Sequence, residues 1–145
     1  VYGYDSMHRL AEDPTVDFVH IVTPTGLHAR HAVAAARAGK AVLCEKPMAT
    51  NAEDCRAIIA ACREAGVALG INYRLHWEPH HAELMRLART GALGRIHTVE
   101  AEFSWKRGGA KPWLNDPALA GGGAFFDTGV YLLQAGAYVT GSSPL

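Results

Sequence analysis

A chain of 145 residues is long enough for one ordinary domain, and 49% hydrophobic with 19% charged residues is the balance of a folded globular protein rather than a disordered one. Lys+Arg and Asp+Glu number 14 each, so no net charge recommends a nucleic-acid or anionic-membrane partner, and the expected ligand is a small molecule. No apolar run approaches the roughly eighteen residues that a membrane helix needs.

Cys44, Cys55 and Cys62 show no paired metal-ligand spacing, and their odd number suits reduced thiols, so no metal site is expected and a cytoplasmic setting is the default. The opening Val1-Tyr2-Gly3-Tyr4-Asp5 has neither an initiator methionine nor the basic-then-apolar order of a signal peptide. A periplasmic setting therefore stays open.

In chain order, Asp17 to Thr23 is a β-branched, apolar run of the kind found in a parallel strand covered on both faces, and Pro24 ends it. Thr25-Gly26 leads into an Ala-rich helix from His28 to Ala38, closed by Gly39. A second strand spans Ala41 to Cys44 and stops before Pro47. Thr50 with Glu53 forms a capping box for a helix to about Ala65, closed by Gly66, and a third strand follows from Val67 to Tyr73. This alternation predicts a parallel α/β sheet. After Tyr73 the texture changes. A polar helix is expected from about Glu78 to Thr90, ending at Gly91, and an antiparallel strand over Arg95 to Trp105, where polarity alternates in period two. A Gly-, Pro- and Trp-rich loop from Arg107 to Gly123 precedes an apolar helix from about Ala124 to Val139. The fold class is therefore α/β, with a parallel-sheet domain over 1–73 followed by part of a second, α+β domain over 74–145.

Open parallel sheets bind ligands at the carboxyl ends of their strands. Three candidate motifs lie there: Thr23-Pro24 with His28, Glu45-Lys46-Pro47, and Asn72-Tyr73-Arg74. Each also has an ordinary structural reading, as strand termination, a solvated turn or a polar domain boundary. Further on, Gly121-Gly122-Gly123 permits close backbone approach and opens a helix on which Asp127 and Tyr131, four apart, share a face. A carboxylate and a phenol so placed can address one substrate hydroxyl, or be a first-turn acid and a core tyrosine.

Taken together and in order, these four motifs resemble those of the Gfo/Idh/MocA oxidoreductases. Cys44-Glu45-Lys46-Pro47-Met48-Ala49-Thr50 and Asn72-Tyr73-Arg74-Leu75-His76 especially resemble the glucose-fructose oxidoreductase branch and its sugar dehydrogenase relatives. The resemblance implies a Rossmann domain holding NAD or NADP, then a substrate domain whose open sheet commonly mediates a homo-oligomer, dimer or tetramer, in the full-length protein. No Gly-x-Gly-x-x-Gly occurs in the sequence, so the chain is expected to be an internal piece of a protein at least twice as long, with an incomplete Rossmann sheet.

The activity implied is hydride transfer between the nicotinamide and a sugar, polyol or related carbinol. Tyr131 would handle the proton. Lys46 would stabilise the phenolate and hold the substrate hydroxyl, and Asp127 would orient the sugar. Thr23, Pro24, His28, Glu45, Lys46 and Arg74 would border the cofactor, and Arg74 with Trp113 would line the substrate pocket. The resemblance also implies a cis Lys46-Pro47 peptide. Many members carry histidine where this chain has Tyr131, which turns the reading away from inositol dehydrogenases. Two alternatives are a cofactor-binding sensor of the same fold, which the joint presence of Lys46, Asp127 and Tyr131 argues against, and a piece inactive in isolation.

Overall fold

The computed structural model describes residues 4–104 and 112–142. These divide into two compact units after Asn72, and the stretch 112–123 packs with the first unit although it lies within the segment assigned above to the second domain.

The first unit is a parallel sheet, β1 (Phe18–Ile21), β2 (Ala41–Glu45) and β3 (Leu69–Asn72), in the order β1-β2-β3. Its helices are α1 (His28–Arg37) and α2 (Ala52–Ala65), preceded by a kinked 3-10 segment, Tyr4–Glu12, that packs on α1 and that the sequence pattern did not announce. Ala32, Ala35 and Ala36 of α1 are fully buried, and such small side chains let α1 and α2 approach closely. Ile21, Val42 and Cys44 from the strands and Ile58, Ala61 and Cys62 from α2 complete one core.

The run Asp17 to Thr23 has the pattern of a strand covered on both faces. Instead Phe18 stays 56% exposed and Val22 66% exposed, while alternation along β2 buries only Val42 and Cys44. Two crossovers that step the same way across a sheet, both right-handed, put their helices on the same side, so an apolar run does not report which face is covered.

Helix ends follow local chemistry. Gly39 and Gly66 adopt left-handed φ values of 71° and 67°, as expected of residues closing α1 and α2. The start of α2 differs from expectation by one residue. Asn51, not Thr50, is the cap: its Oδ1 accepts the Asp54 N–H at 2.8 Å while its Nδ2 donates to Asp54 Oδ2 at 2.8 Å. Asn ranks above Thr as a cap, and the reciprocal partner is Asp54 rather than Glu53.

The second unit contains α3 (Pro79–Arg89) and α5 (Val130–Thr140); α4 (Pro117–Ala120) belongs to the first. Pro79 opens α3 and Glu78 caps it, accepting the His81 N–H at 2.9 Å. The His80 ring, and then the His81 N–H, hold the Glu78 carboxyl down at about 2. The expected strand over Arg95 to Trp105 is absent from its described part, 95–104, where nearly every residue on both alternating faces is exposed; Trp105 lies outside the described residues. Period-two polarity makes a strand only where a ladder partner exists, and none pairs with 95–104 among the described residues. The apolar helix also differs: its first turn, Phe125–Gly129, is π-helical, with i→i+5 spacing, before α5 proper.

Two fold predictions follow from this geometry. Asn51→Ala should lower the stability of the full-length protein by ~1 kcal/mol, whereas Thr50→Ala should change it by less than ~0.5, as read from denaturant midpoints. A Cβ on Gly26 would run into the Ala118 carbonyl oxygen, which is backbone, while one on Gly129 would come within 2.6 Å of the ring of Phe125, a side chain that is 67% exposed. Gly26→Ala should therefore cost ~1–3 kcal/mol and Gly129→Ala distinctly less in the same assay.

Candidate active site

Register brings the strand ends together. Ile21 lies opposite Cys44 and Glu45 opposite Asn72, so the segments after β1, β2 and β3 leave the sheet at one edge. There the Asn72 Nδ2 donates to Glu45 Oε1 at 2.5 Å, and His20 Nε2 approaches the same oxygen at 3.7 Å. The Glu45 carboxylate is thus hydrogen-bonded from β3 and approached by a ring from β1. His20 was not singled out from the sequence; the available signal was a polar residue interrupting the run Phe18-Val19-His20-Ile21. Asn72 was read as an amide facing a ligand, and in the structure its side chain engages Glu45.

Beside this cluster Lys46 is half-buried, the Lys46-Pro47 peptide is cis as the sequence resemblance implied, and Pro47 is buried. The turn is tied back by Cys44, whose Sγ lies 3.9 Å from the Met48 carbonyl. Burial, then the neighbouring Glu45 charge, pushes the Cys44 thiol up to about 12. Cys55 and Cys62 are raised by burial as well, and all three cysteines are free.

His28 is 1% exposed. Its Nδ1 sits 3.0 Å from the Pro47 carbonyl oxygen and its Nε2 2.8 Å from that of Thr23. Both ring nitrogens of His28 thus face backbone carbonyl oxygens of the two neighbouring segments. Thr23 shows the opposite character, with a buried Oγ1 that has no hydrogen-bond partner among the described residues.

The turn Thr25–Leu27 carries α4 against it, so tightly that Gly26 has no room for a Cβ, and the 3-10 turn Pro112–Asn115 packs on α4. Trp113, half-buried, lies in that turn and so belongs to the first unit.

In the second unit Arg74 is exposed in the 3-10 turn Arg74–Trp77. Asp127 is half-buried within the π turn. Tyr131, at the start of α5, packs edge-on against Tyr73 with ring centroids 5.9 Å apart. It also lines a narrow apolar cavity with Leu84 and Met85 of α3. Tyr138 in the same cavity lies 4.4 Å from the ring of His76, whose Nδ1 is buried with no partner among the described residues.

Residues 1–73 match the model described as "Oxidoreductase family, NAD-binding Rossmann fold", and residues 81–145 match "GFO/IDH/MocA C-terminal domain". The chain belongs to the Gfo/Idh/MocA oxidoreductase family.

Among solved structures of the family, an aldose-aldose oxidoreductase from Caulobacter crescentus complexed with glycerol superposes with a TM-score of 0.95 at 45% identity, over 99% of this chain and 43% of that one. Levoglucosan dehydrogenase in complex with NADH and levoglucosan gives 0.77 at 30% identity, over 92% and 37%. Among curated relatives, 1,5-anhydro-D-fructose reductase of Ensifer adhaerens is 35% identical over 96% of this chain and 42% of its own length. The chain thus spans less than half the length of these relatives.

The first unit fits a nicotinamide dinucleotide at its strand-end edge. The Thr23 hydroxyl there is buried without a partner among the described residues and Glu45 presents a carboxylate acceptor, groups whose chemistry would suit such a polar ligand. Among the described residues no group of three His, Cys, Asp or Glu side chains could hold a metal, and no helix is long and apolar enough to cross a membrane.

Cys44 supplies a test of the packing behind Glu45. At pH 8 iodoacetamide should leave it unmodified in the folded protein and alkylate it after unfolding, as read by peptide mass spectrometry. Because its folded value lies above the ordinary thiol value of 9, its contribution to stability is complete below pH 9 and is lost as pH rises toward 12. Cys44→Ala should flatten that alkaline loss.

Proposed function

We propose that the full-length protein transfers a hydride between NAD or NADP and a sugar, polyol or related carbinol or carbonyl. The observation that carries this reading is the strand-end edge, where Glu45 accepts a hydrogen bond from Asn72, half-buried Lys46 follows it and the Thr23 hydroxyl is buried without a partner among the described residues. The names of the relatives, an aldose-aldose oxidoreductase, a levoglucosan dehydrogenase and an anhydrofructose reductase, support a sugar-like substrate.

The nicotinamide, when bound, supplies the hydride chemistry, and the protein must bind it, orient the substrate and handle one proton. In the first unit Thr23 and Pro24 border the cofactor, Glu45 accepts a hydrogen bond from it, and the Lys46 ammonium donates to a substrate oxygen and stabilises the charge that develops there. Trp113 offers a ring face to the apolar side of a sugar. In the second unit Tyr131 exchanges the proton at the reacting hydroxyl, Asp127 accepts a hydrogen bond from a neighbouring one, and exposed Arg74 contributes its fork of donors to substrate or cofactor. A cytoplasmic homo-oligomer, dimer or tetramer, is the setting proposed for the whole protein.

Tyr131→Phe decides the proton role. In the full-length enzyme it should lower kcat by ~10²–10⁴ at nearly unchanged cofactor affinity, measured by nicotinamide absorbance on a panel of aldoses and polyols. Lys46→Met should cut kcat as well, while Asp127→Asn should raise KM along with slowing turnover. Retention of more than half of wild-type kcat by Tyr131→Phe, with chemistry rate-limiting, would make the phenol structural.

A further inference from the structure

The carboxyl end of β1 and the turn that carries Lys46 belong to different strands, yet one side chain joins them. His28, in the first turn of α1, is 1% exposed and places Nε2 2.8 Å from the Thr23 carbonyl oxygen and Nδ1 3.0 Å from the Pro47 carbonyl oxygen. A neutral imidazole donates to one of these carbonyls by choice of tautomer, and an imidazolium to both. Pro47 has no N–H of its own, and it directly follows Lys46. The ring is therefore a cross-brace between two backbone segments of the edge, one bearing the orphaned Thr23 hydroxyl and the other the Lys46 ammonium.

We propose that His28 is a positioning residue for Lys46: its hydrogen bond to the Pro47 carbonyl fixes the turn from which the ammonium reaches the substrate, while the contact to Thr23 anchors the ring. This rests on the function proposed above. Position is what such a brace controls, since a displacement of ~1 Å at a reacting group costs up to ~10² in rate without a matching loss of affinity. The brace is itself fixed by packing. His28 leads the helix whose Ala32, Ala35 and Ala36 are fully buried, so the ring cannot follow a drifting turn.

Two amide variants separate the two contacts. Asn at this position places its amide near the site of Nδ1 and keeps a donor for Pro47, while Gln reaches the site of Nε2 and keeps one for Thr23. In the full-length enzyme His28→Asn should retain at least ~10-fold more kcat than His28→Gln, with nicotinamide cofactor Kd within about threefold between them and similar melting temperatures. The rate of Lys46 reductive methylation, read by mass spectrometry, should shift in His28→Gln and stay near wild type in His28→Asn. Losses that are equal in the two variants, or that simply track melting temperature, would overturn the proposal. The labelling readout needs no turnover. A wild type inert on every sugar would therefore sink the functional reading alone, and the labelling difference would still decide His28. Should His28→Gln fail to accumulate, the ¹⁵N-histidine spectrum of the wild type decides: a ring N–H protected from solvent exchange supports the brace, and free exchange refutes it.

Discussion

In a parallel sheet all carboxyl ends fall on one edge, and register alone decides which side chains meet there. Glu45 opposite Asn72 and Ile21 opposite Cys44 is the pairing that lets the Asn72 amide and the His20 ring converge on one carboxylate oxygen. Alternation makes this register strict. Sliding β2 by one residue would turn Cys44 out of the core and Glu45 into it, against Ile58 and the alanines of α1, where an unpaired carboxylate is costly to bury. The hydrophobic core and the polar edge are thus two consequences of the same alternation.

The helices then fix what the register leaves loose. Fully buried alanines at 32, 35 and 36 bring α1 close to α2, and a larger side chain at any of them would push α1 away. The first residue of α1 is His28, so helix packing is transmitted directly to the Thr23 and Pro47 carbonyls. On the other side of the Thr23-Pro24 segment, Gly26 admits the backbone of α4 at a distance no other residue would allow. The end of β1 is in this way flanked by a buried imidazole on one side and by a close backbone contact on the other.

Much of this is legible in the sequence alone, because strands, breakers and glycine caps are local events. Gly39 and Gly66 close their helices where the sequence places them, whereas β1 stops at Ile21, short of Pro24, and four motifs in order suffice to name the family. What is not legible depends on partners. The alternation over 95–104 is real, yet no strand forms without a second strand to pair with. The cap at α2 shifts from Thr50 to Asn51 because two adjacent good caps compete, and the reciprocal bond to Asp54 decides between them. His20 joins the edge only through register. The π turn at Phe125–Gly129 is hidden because an apolar helix pattern does not distinguish i→i+4 from i→i+5, although the Asp127-Thr128-Gly129 sequence holds a clue: Gly129 is buried, and a Cβ there would meet the Phe125 ring.

The surroundings of Tyr131 bear on why a phenol stands there. Its ring meets Tyr73 edge-on and borders apolar side chains from α3, contacts that a phenylalanine would make equally well. A hydroxyl adds nothing to packing of that kind and brings a group that must be hydrogen-bonded when buried. Tyr131 itself is half-buried and follows the π turn Phe125–Gly129 by one residue, Val130. His28 differs: its ring is wholly enclosed and both nitrogens face backbone carbonyl oxygens. Burial, rather than residue type, separates these two polar rings: one is wholly enclosed between strand ends, the other half-buried at the start of a helix.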